Sequence, residues 1–220
     1  MVSYYRNLHR MLLFLIGTLI FVDIASADTD VNKVIKKMRE KYKNAKTLFI
    51  DFKEISRFSL TGTQTEVSAS LYIEDMNQFR LESEDQIVVS NGETFWRYNK
   101  IENQVLIDYA KKGDQEILVN DILSDKTENY YTQLIQEYKE DGKKLYVIKL
   151  TPKPDSDSFF QEIKVWVVDK SWAIKKIIYT DYNENETEFQ IEKIELNKEL
   201  SLTMFTFEAP EGSEVVDVRF

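Results

Sequence analysis

Apolar residues change period twice along this chain. Val31, Val34, Ile35, Met38, Tyr42 and Ala45 recur at helical spacing with Lys and Glu between them, and Asp28-Thr-Asp30 supplies N-cap candidates, so one amphipathic helix is predicted over about 30–45. From residue 47 the period falls to two: β-rich runs occupy 47–59, 65–74, 77–84, 86–90, 93–98 and 103–109, and after an interruption 129–140, 143–151, 161–169, 172–182 and 186–197. The interruption, 113–125, carries Ile117, Leu118, Ile122 and Leu123 as a short stripe at helical spacing and predicts a second helix. A tail with Pro210 and Gly212 closes the chain.

The strands are consecutive and closely spaced, which favours antiparallel neighbours. Their faces are unusual, because neither is wholly polar: Ile163, Val165 and Val167 oppose Trp166 and Val168, and Tyr146, Ile148 and Leu150 oppose Leu145 and Val147. The stretch Gln86–Asn99 is the sharpest case. Two apolar runs meet at Asn91-Gly92, the dipeptide suited to a type I′ turn, which predicts a hairpin pairing Ser90 with Glu93, Val89 with Thr94, Val88 with Phe95 and Ile87 with Trp96. A sheet with one wet side alternates apolar and polar; here both sides need cover. The expected fold is mainly β (α+β): one domain, an unclosed antiparallel β-barrel or strongly curved sheet of about eleven strands, with helices covering its concave apolar face. A sandwich would also give mixed faces at its ends.

Residues 1–27 have the pattern of an export signal: Arg6, His9 and Arg10 ahead of an apolar Met11–Val22, then Ala25-Ser26-Ala27 as a cleavage site, so that the mature chain starts at Asp28. About a dozen apolar residues fall short of the roughly twenty that span a bilayer. The remaining 193 residues suit a single domain, 28–220, with a sizeable core, and no linker or internal repeat divides it. Removing Arg6, Arg10 and Asp23 leaves 27 basic and 37 acidic side chains, a net charge of −10 that opposes nucleic acid and anionic bilayers. The chain has no cysteine, and its single histidine, His9, lies in the export signal. A mature chain without either residue forms no Ser-His-Asp triad, cysteine nucleophile, zinc-thiolate site or histidine general base. Paired carboxylates or a Ser/Lys arrangement are the catalytic chemistries that remain.

The segment Ser90-Asn-Gly-Glu-Thr-Phe-Trp-Arg-Tyr-Asn99 resembles the hairpin of the periplasmic outer-membrane lipoprotein carriers, the LolA family. Leu71-Tyr-Ile73 with Asn77-Gln-Phe79, Leu150-Thr-Pro-Lys153, and Phe205-Thr-Phe-Glu-Ala-Pro-Glu-Gly212 through Val215-Val-Asp217 resemble further family motifs in the same order. The resemblance implies a non-enzymatic, monomeric carrier with no cofactor and no metal. Its apolar cavity would receive acyl chains of lipoproteins from an inner-membrane ABC transporter, cross the periplasm and deliver them to an outer-membrane acceptor. By motif position, Val34, Ile35 and Met38, Phe79, Leu81 and Val88, and Ile117, Leu118, Ile122 and Leu123 would line that cavity. The family's Lys/Arg-Arg-Pro latch is replaced by Glu74-Asp75-Met76, so Asp75 stands where an arginine holds the lid. Two other functions remain open: a carrier or sensor of another lipid or glycolipid, and, more remotely, a carboxylate-based enzyme acting on glycans.

Overall fold

The computed structural model describes residues 29–74, 78–110, 129–156 and 158–219. Among these residues one helix, α1 (Val31–Lys43), precedes twelve strands: β1 (Thr47–Phe58), β2 (Thr63–Glu74), β3 (Gln78–Ser83), β4 (Gln86–Ser90), β5 (Thr94–Asn99), β6 (Gln104–Tyr109), β7 (Tyr130–Glu140), β8 (Lys143–Pro152), β9 (Phe160–Val168), β10 (Ile174–Asp181), β11 (Glu186–Leu196) and β12 (Glu214–Asp217). They form one open sheet in the order β12-β6-β5-β4-β3-β2-β1-β11-β10-β9-β8-β7. The eleven expected strands are all present and every pairing among them is antiparallel, with β1 joined to β11 while β6 and β7 lie towards opposite ends of the sheet. The twelfth is an addition: β12 lies parallel to β6 at the sheet edge, pairing Val215 with Val105 and Asp217 with Ile107.

The hairpin at Asn91-Gly92 forms with a different register from the expected one. Ser90 pairs with Phe95, Val89 with Trp96, Val88 with Arg97 and Ile87 with Tyr98. The cause lies in the asparagine side chain. Asn91 Oδ1 accepts from the backbone N–H of Glu93 (2.9 Å) and Thr94 (2.8 Å), and Asn91 N–H donates to the Thr94 carbonyl (3.2 Å). The positive φ therefore falls on Gly92 (+90°), and Gly92-Glu93 becomes the turn, with glycine at its leading position. The strand slides by two residues rather than one, so every side chain keeps its face.

Val88 and Phe95 accordingly lie on one side of the sheet, in a continuous apolar cluster with Leu48, Ile50, Phe52, Leu71, Ile73, Phe79, Tyr146, Ile148, Ile163, Val165, Val167, Ile177 and Phe189. Helix α1 packs on this same side. On the other side Val89, Val105, Leu145 and Val147 are also buried. Part of that second face is covered by the segment after β11: Arg80 donates to the Thr206 carbonyl (3.4 Å), Phe207 packs 5.9 Å from Tyr98, Phe205 is buried, and Asn103 Nδ2 donates to the Gly212 carbonyl (3.0 Å). The surplus of apolar residues on both faces is thus matched by a helix on one and a C-terminal strap on the other.

Candidate functional site

The helix side of the sheet is the candidate site, and local chemistry determines how α1 sits on it. Asp30 Oδ1 accepts from Asn32 N–H (3.0 Å) and Lys33 N–H (3.4 Å), which caps the first turn. Val34, Ile35, Met38 and Tyr42 then form a buried stripe. The solvent side carries Lys36 and Lys37 against Glu40, and Lys41 and Lys43 complement the negative end of the helix dipole.

The C-terminal end of α1 is fastened to the β9–β10 turn. Ile174 N–H donates to the Tyr42 hydroxyl oxygen at 3.0 Å in a buried setting, and Lys41 Nζ donates to the Ser171 carbonyl at 3.0 Å. The turn itself is unusual. Lys170 and Trp172 both take positive φ (+64° and +54°), a region that bulky residues avoid. Trp172 is held there by its N–H to the Val168 carbonyl (2.8 Å) and by stacking on Tyr146, with 6.3 Å between centroids and an interplanar angle of 6°. Tyr146 in turn donates to Asp169 Oδ1 (2.9 Å). Nothing in the hydrophobic pattern marks Trp172 or Asp169; their role depends on contacts between distant segments.

Of the residues expected to line a cavity, Val34, Ile35, Met38, Phe79 and Val88 all belong to the one apolar cluster, and Leu81 is half-buried against it. They arrive as two groups. Val34, Ile35 and Met38 come from the helix, which contacts β7. Phe79, Leu81 and Val88 stand in register on β3 and β4, Leu81 between Leu71 and Val88, with the Phe79 ring 6.4 Å from Phe95. Arg97 brings a cation to the same face, its guanidinium 5.6 Å from the Phe95 ring. Ile117, Leu118, Ile122 and Leu123, and Asp75 at the latch position, lie outside the described residues.

The sheet is also open at one place within it. Strand β10 pairs with β11 only from Lys176↔Gln190 to Thr180↔Glu186, while β11 continues alongside β1 to Leu196. Beside this gap a groove of about 430 Å³ has Leu145, Val168, Ile174, Ile191, Ile194 and Leu196 among its apolar lining. Lys41, Lys143, Lys175 and Lys193 and the acids Glu140, Asp141 and Glu192 add charge to it. Ile174 belongs to the apolar cluster and Ile191, Ile194 and Leu196 pack against it, so the groove is an approach to the helix side. Among the described residues no helix is long and apolar enough to cross a membrane, and no cluster of acidic residues is arranged to hold a metal ion.

The opposite face carries an ion-pair network centred on Glu188. Its carboxylate accepts from Arg57 Nη1 (2.8 Å) and Gln190 Nε2 (2.7 Å), with Lys176 Nζ at 3.9 Å and lying 4.1 Å over the Trp166 ring. Burial pushes the Glu188 carboxyl upward. The hydrogen bonds from Gln190 and Arg57 and the charges of Lys176 and Arg57 outweigh it and hold the group below its ordinary value. A depressed carboxylate contributes stability that is complete above its unfolded pKa, near 4.3, and is lost as pH falls through the lower folded value. Glu188→Gln should therefore flatten the acid limb of a stability–pH curve, measured by urea denaturation from neutral pH downward. A limb parallel to that of the parent would remove Glu188 from the account.

A family model described as "Outer membrane lipoprotein carrier protein LolA" matches residues 43–208. A protein of Methanocaldococcus jannaschii with no assigned function is 25% identical over 220 residues, covering 96% of this chain but 61% of that one. This chain therefore spans less than two thirds of that relative. An outer-membrane lipoprotein carrier protein of Coxiella burnetii is 24% identical over 226 residues, covering 96% of this chain and 99% of its own. Among solved structures, a conserved protein from Thermus thermophilus superposes with a TM-score of 0.55 at 11% identity, covering 84% of this chain and 98% of that one, a likeness of fold alone.

Proposed function

This chain belongs to the LolA family of outer membrane lipoprotein carrier proteins, and on that premise we propose that it is a non-enzymatic carrier for lipoprotein acyl chains. The cargo's chains would lie against the helix side of the sheet, among Val34, Ile35, Met38, Phe79, Leu81 and Val88, with Ile117, Leu118, Ile122 and Leu123 completing the lining. The mature domain, 28–220, would act in the periplasm after loss of residues 1–27, as a monomer. It would take lipoproteins from an inner-membrane ABC transporter and release them to an outer-membrane acceptor.

One observation carries the proposal: a single apolar cluster runs from β8 through β1 to β5 on the face against which α1 packs. The physical demand fits. At about 0.8 kcal/mol per methylene, two or three acyl chains of roughly sixteen carbons would cost tens of kcal/mol to expose to water. An apolar sheet face offsets that loss without covalent chemistry, and unbranched Met38 can repack around different chain conformations.

The test is co-purification. Produced with its export signal in a Gram-negative host and isolated from the periplasm, the protein is expected to bring down triacylated lipoproteins in near-stoichiometric amount, identified by mass spectrometry. An empty protein that leaves lipoproteins untouched would overturn the proposal. Recovery of free lipid or glycolipid without protein cargo would favour the second function, a carrier or sensor of another amphiphile, which the acidic Glu74-Asp75 at the latch position motivates.

A further inference from the structure

The end of the sheet remote from the Lys41 groove exposes large apolar side chains on three neighbouring connections. Leu60, at the β1–β2 tip, is 96% exposed; Phe159, just before β9, is 84% exposed; Tyr182, in the β10–β11 turn, is 66% exposed; and Phe58 is 43% exposed. Pairing gathers them at one edge. Arg57 of β1 lies opposite Glu186 of β11, Thr180 of β10 opposite Glu186, and Asp181 opposite Phe160 of β9. The three tips thus span about three strand spacings, on the order of 14 Å.

Hydrogen bonds fix these tips in outward positions. Gly62 N–H donates to the Phe58 carbonyl (2.8 Å), the Thr61 and Thr63 hydroxyls are 2.7 Å apart, and Ser59 N–H donates across to Asn185 Oδ1 (3.0 Å). The Asp181 carboxylate accepts from Asn183 N–H (2.8 Å), Asn185 N–H (2.9 Å) and Asn185 Nδ2 (2.9 Å), and Ser158 Oγ accepts from Phe160 N–H (3.1 Å). The exposure of Leu60 and Phe159 is therefore built into ordered turns.

We infer that this end is a docking surface for a neutral lipid bilayer, with Leu60, Phe159 and Tyr182 entering the headgroup boundary. Three features select that partner. The β1–β2 tip carries no charge from Phe58 to Thr65, in a chain that is 30% charged, so its entry desolvates no ion. Tyrosine and phenylalanine on the flanking turns suit an interface that is wet at one end and apolar at the other. The charges around the tips are mainly acidic, Asp155, Asp181, Glu184 and Glu186 against Lys153 and Arg57, which disfavours anionic headgroups. The surface also connects inward: Phe160 contacts Tyr179 (4.8 Å), Tyr179 contacts Phe189 (6.0 Å), and Phe189 contacts Phe52 (5.4 Å) in the apolar cluster. An acyl chain leaving the helix side at this end would meet aromatic rings rather than water.

The inference does not depend on what the helix side carries, and its test uses no cargo. The purified protein is mixed with vesicles of phosphatidylcholine and phosphatidylethanolamine and separated by flotation. The parent protein is expected to float with the vesicles, and Leu60→Glu and Phe159→Glu each to lower the partition coefficient about tenfold or more. Because both side chains are exposed, their thermal midpoints should match the parent's. High salt should leave binding intact, and phosphatidylglycerol in the vesicles should weaken it. A parent protein that stays out of the floating layer, variants that float as well as the parent, or binding confined to anionic vesicles and abolished by salt would each overturn the inference.

Discussion

Replacing Leu71 by alanine is expected to lower the unfolding free energy by about 2–5 kcal/mol, and the thermal midpoint by roughly 4–20 °C for a domain of this size. Leu71 is completely buried in the middle of the sheet, with Ile50 opposite it on β1 and Leu81 on β3. Its removal leaves a cavity that twisted, hydrogen-bonded strands on both sides cannot close. Leu81 stands next to it but is half-buried. Leu81→Gln should cost less than about 1.5 kcal/mol, yet lower the amount of lipoprotein recovered by co-purification about tenfold, because it places an amide where an acyl chain would lie. The pair separates packing from carrying. Equal stability losses at both positions, with cargo capture unchanged in the glutamine variant, would assign Leu81 to the core.

The contrast between Leu71 and Leu81 also marks how far a linear pattern can be read. Period-two alternation separated Ile163, Val165 and Val167 from Trp166 and Val168, and Tyr146, Ile148 and Leu150 from Leu145 and Val147; the structure puts the first set of each on the helix side. Alternation reports a face but not a depth, so it could not distinguish a residue under two neighbours from one at the margin. The hairpin shows a second limit. Its existence and the faces of Val88 and Phe95 followed from the pattern, whereas the register turned on Asn91 bonding to its own loop, a local competition that dipeptide preference does not capture.

What escaped the pattern altogether was contact between distant segments. Strand β12 is only four residues long and pairs with β6, more than a hundred residues earlier. The strap that brings Phe205 and Phe207 over the second face has no regular period, although the family motif beginning at Phe205 pointed to that stretch. The run expected over 172–182 opens on Trp172, but the strand starts at Ile174, because Trp172 takes a positive φ that is stabilised by Tyr146 and Val168 rather than by its neighbours in sequence. Exposed tips such as Leu60 give the converse case. A leucine between Ser59 and Thr61 reads as an unremarkable loop residue until the turn that holds it outward is known.

Tyr42→Phe should destabilise the protein at neutral pH and stabilise it, relative to the parent, in strong alkali. The ring is buried and its packing survives the change, but Ile174 N–H loses its acceptor, at a cost of about 1–3 kcal/mol. The alkaline limb has the opposite sign. Burial pushes the Tyr42 hydroxyl up to about 12, against a smaller opposing pull from the Ile174 N–H, whereas an unfolded tyrosine titrates near 10. A group whose folded pKa is raised contributes fully below the unfolded value and loses that contribution as pH climbs through the folded one. Across pH 10 to about 12 the parent should therefore give up on the order of 2–3 kcal/mol that the phenylalanine variant retains. Tyr146, whose hydroxyl is also raised by burial and by its bond to Asp169, titrates in both proteins and leaves the difference unaffected. Urea denaturation at stepped pH, with tyrosinate absorbance followed in parallel, should show the two stability curves converging and crossing. Parallel curves would mean that Tyr42 ionises as freely in the folded chain as in the unfolded one, and that α1 is not held to the β9–β10 turn through a buried hydroxyl.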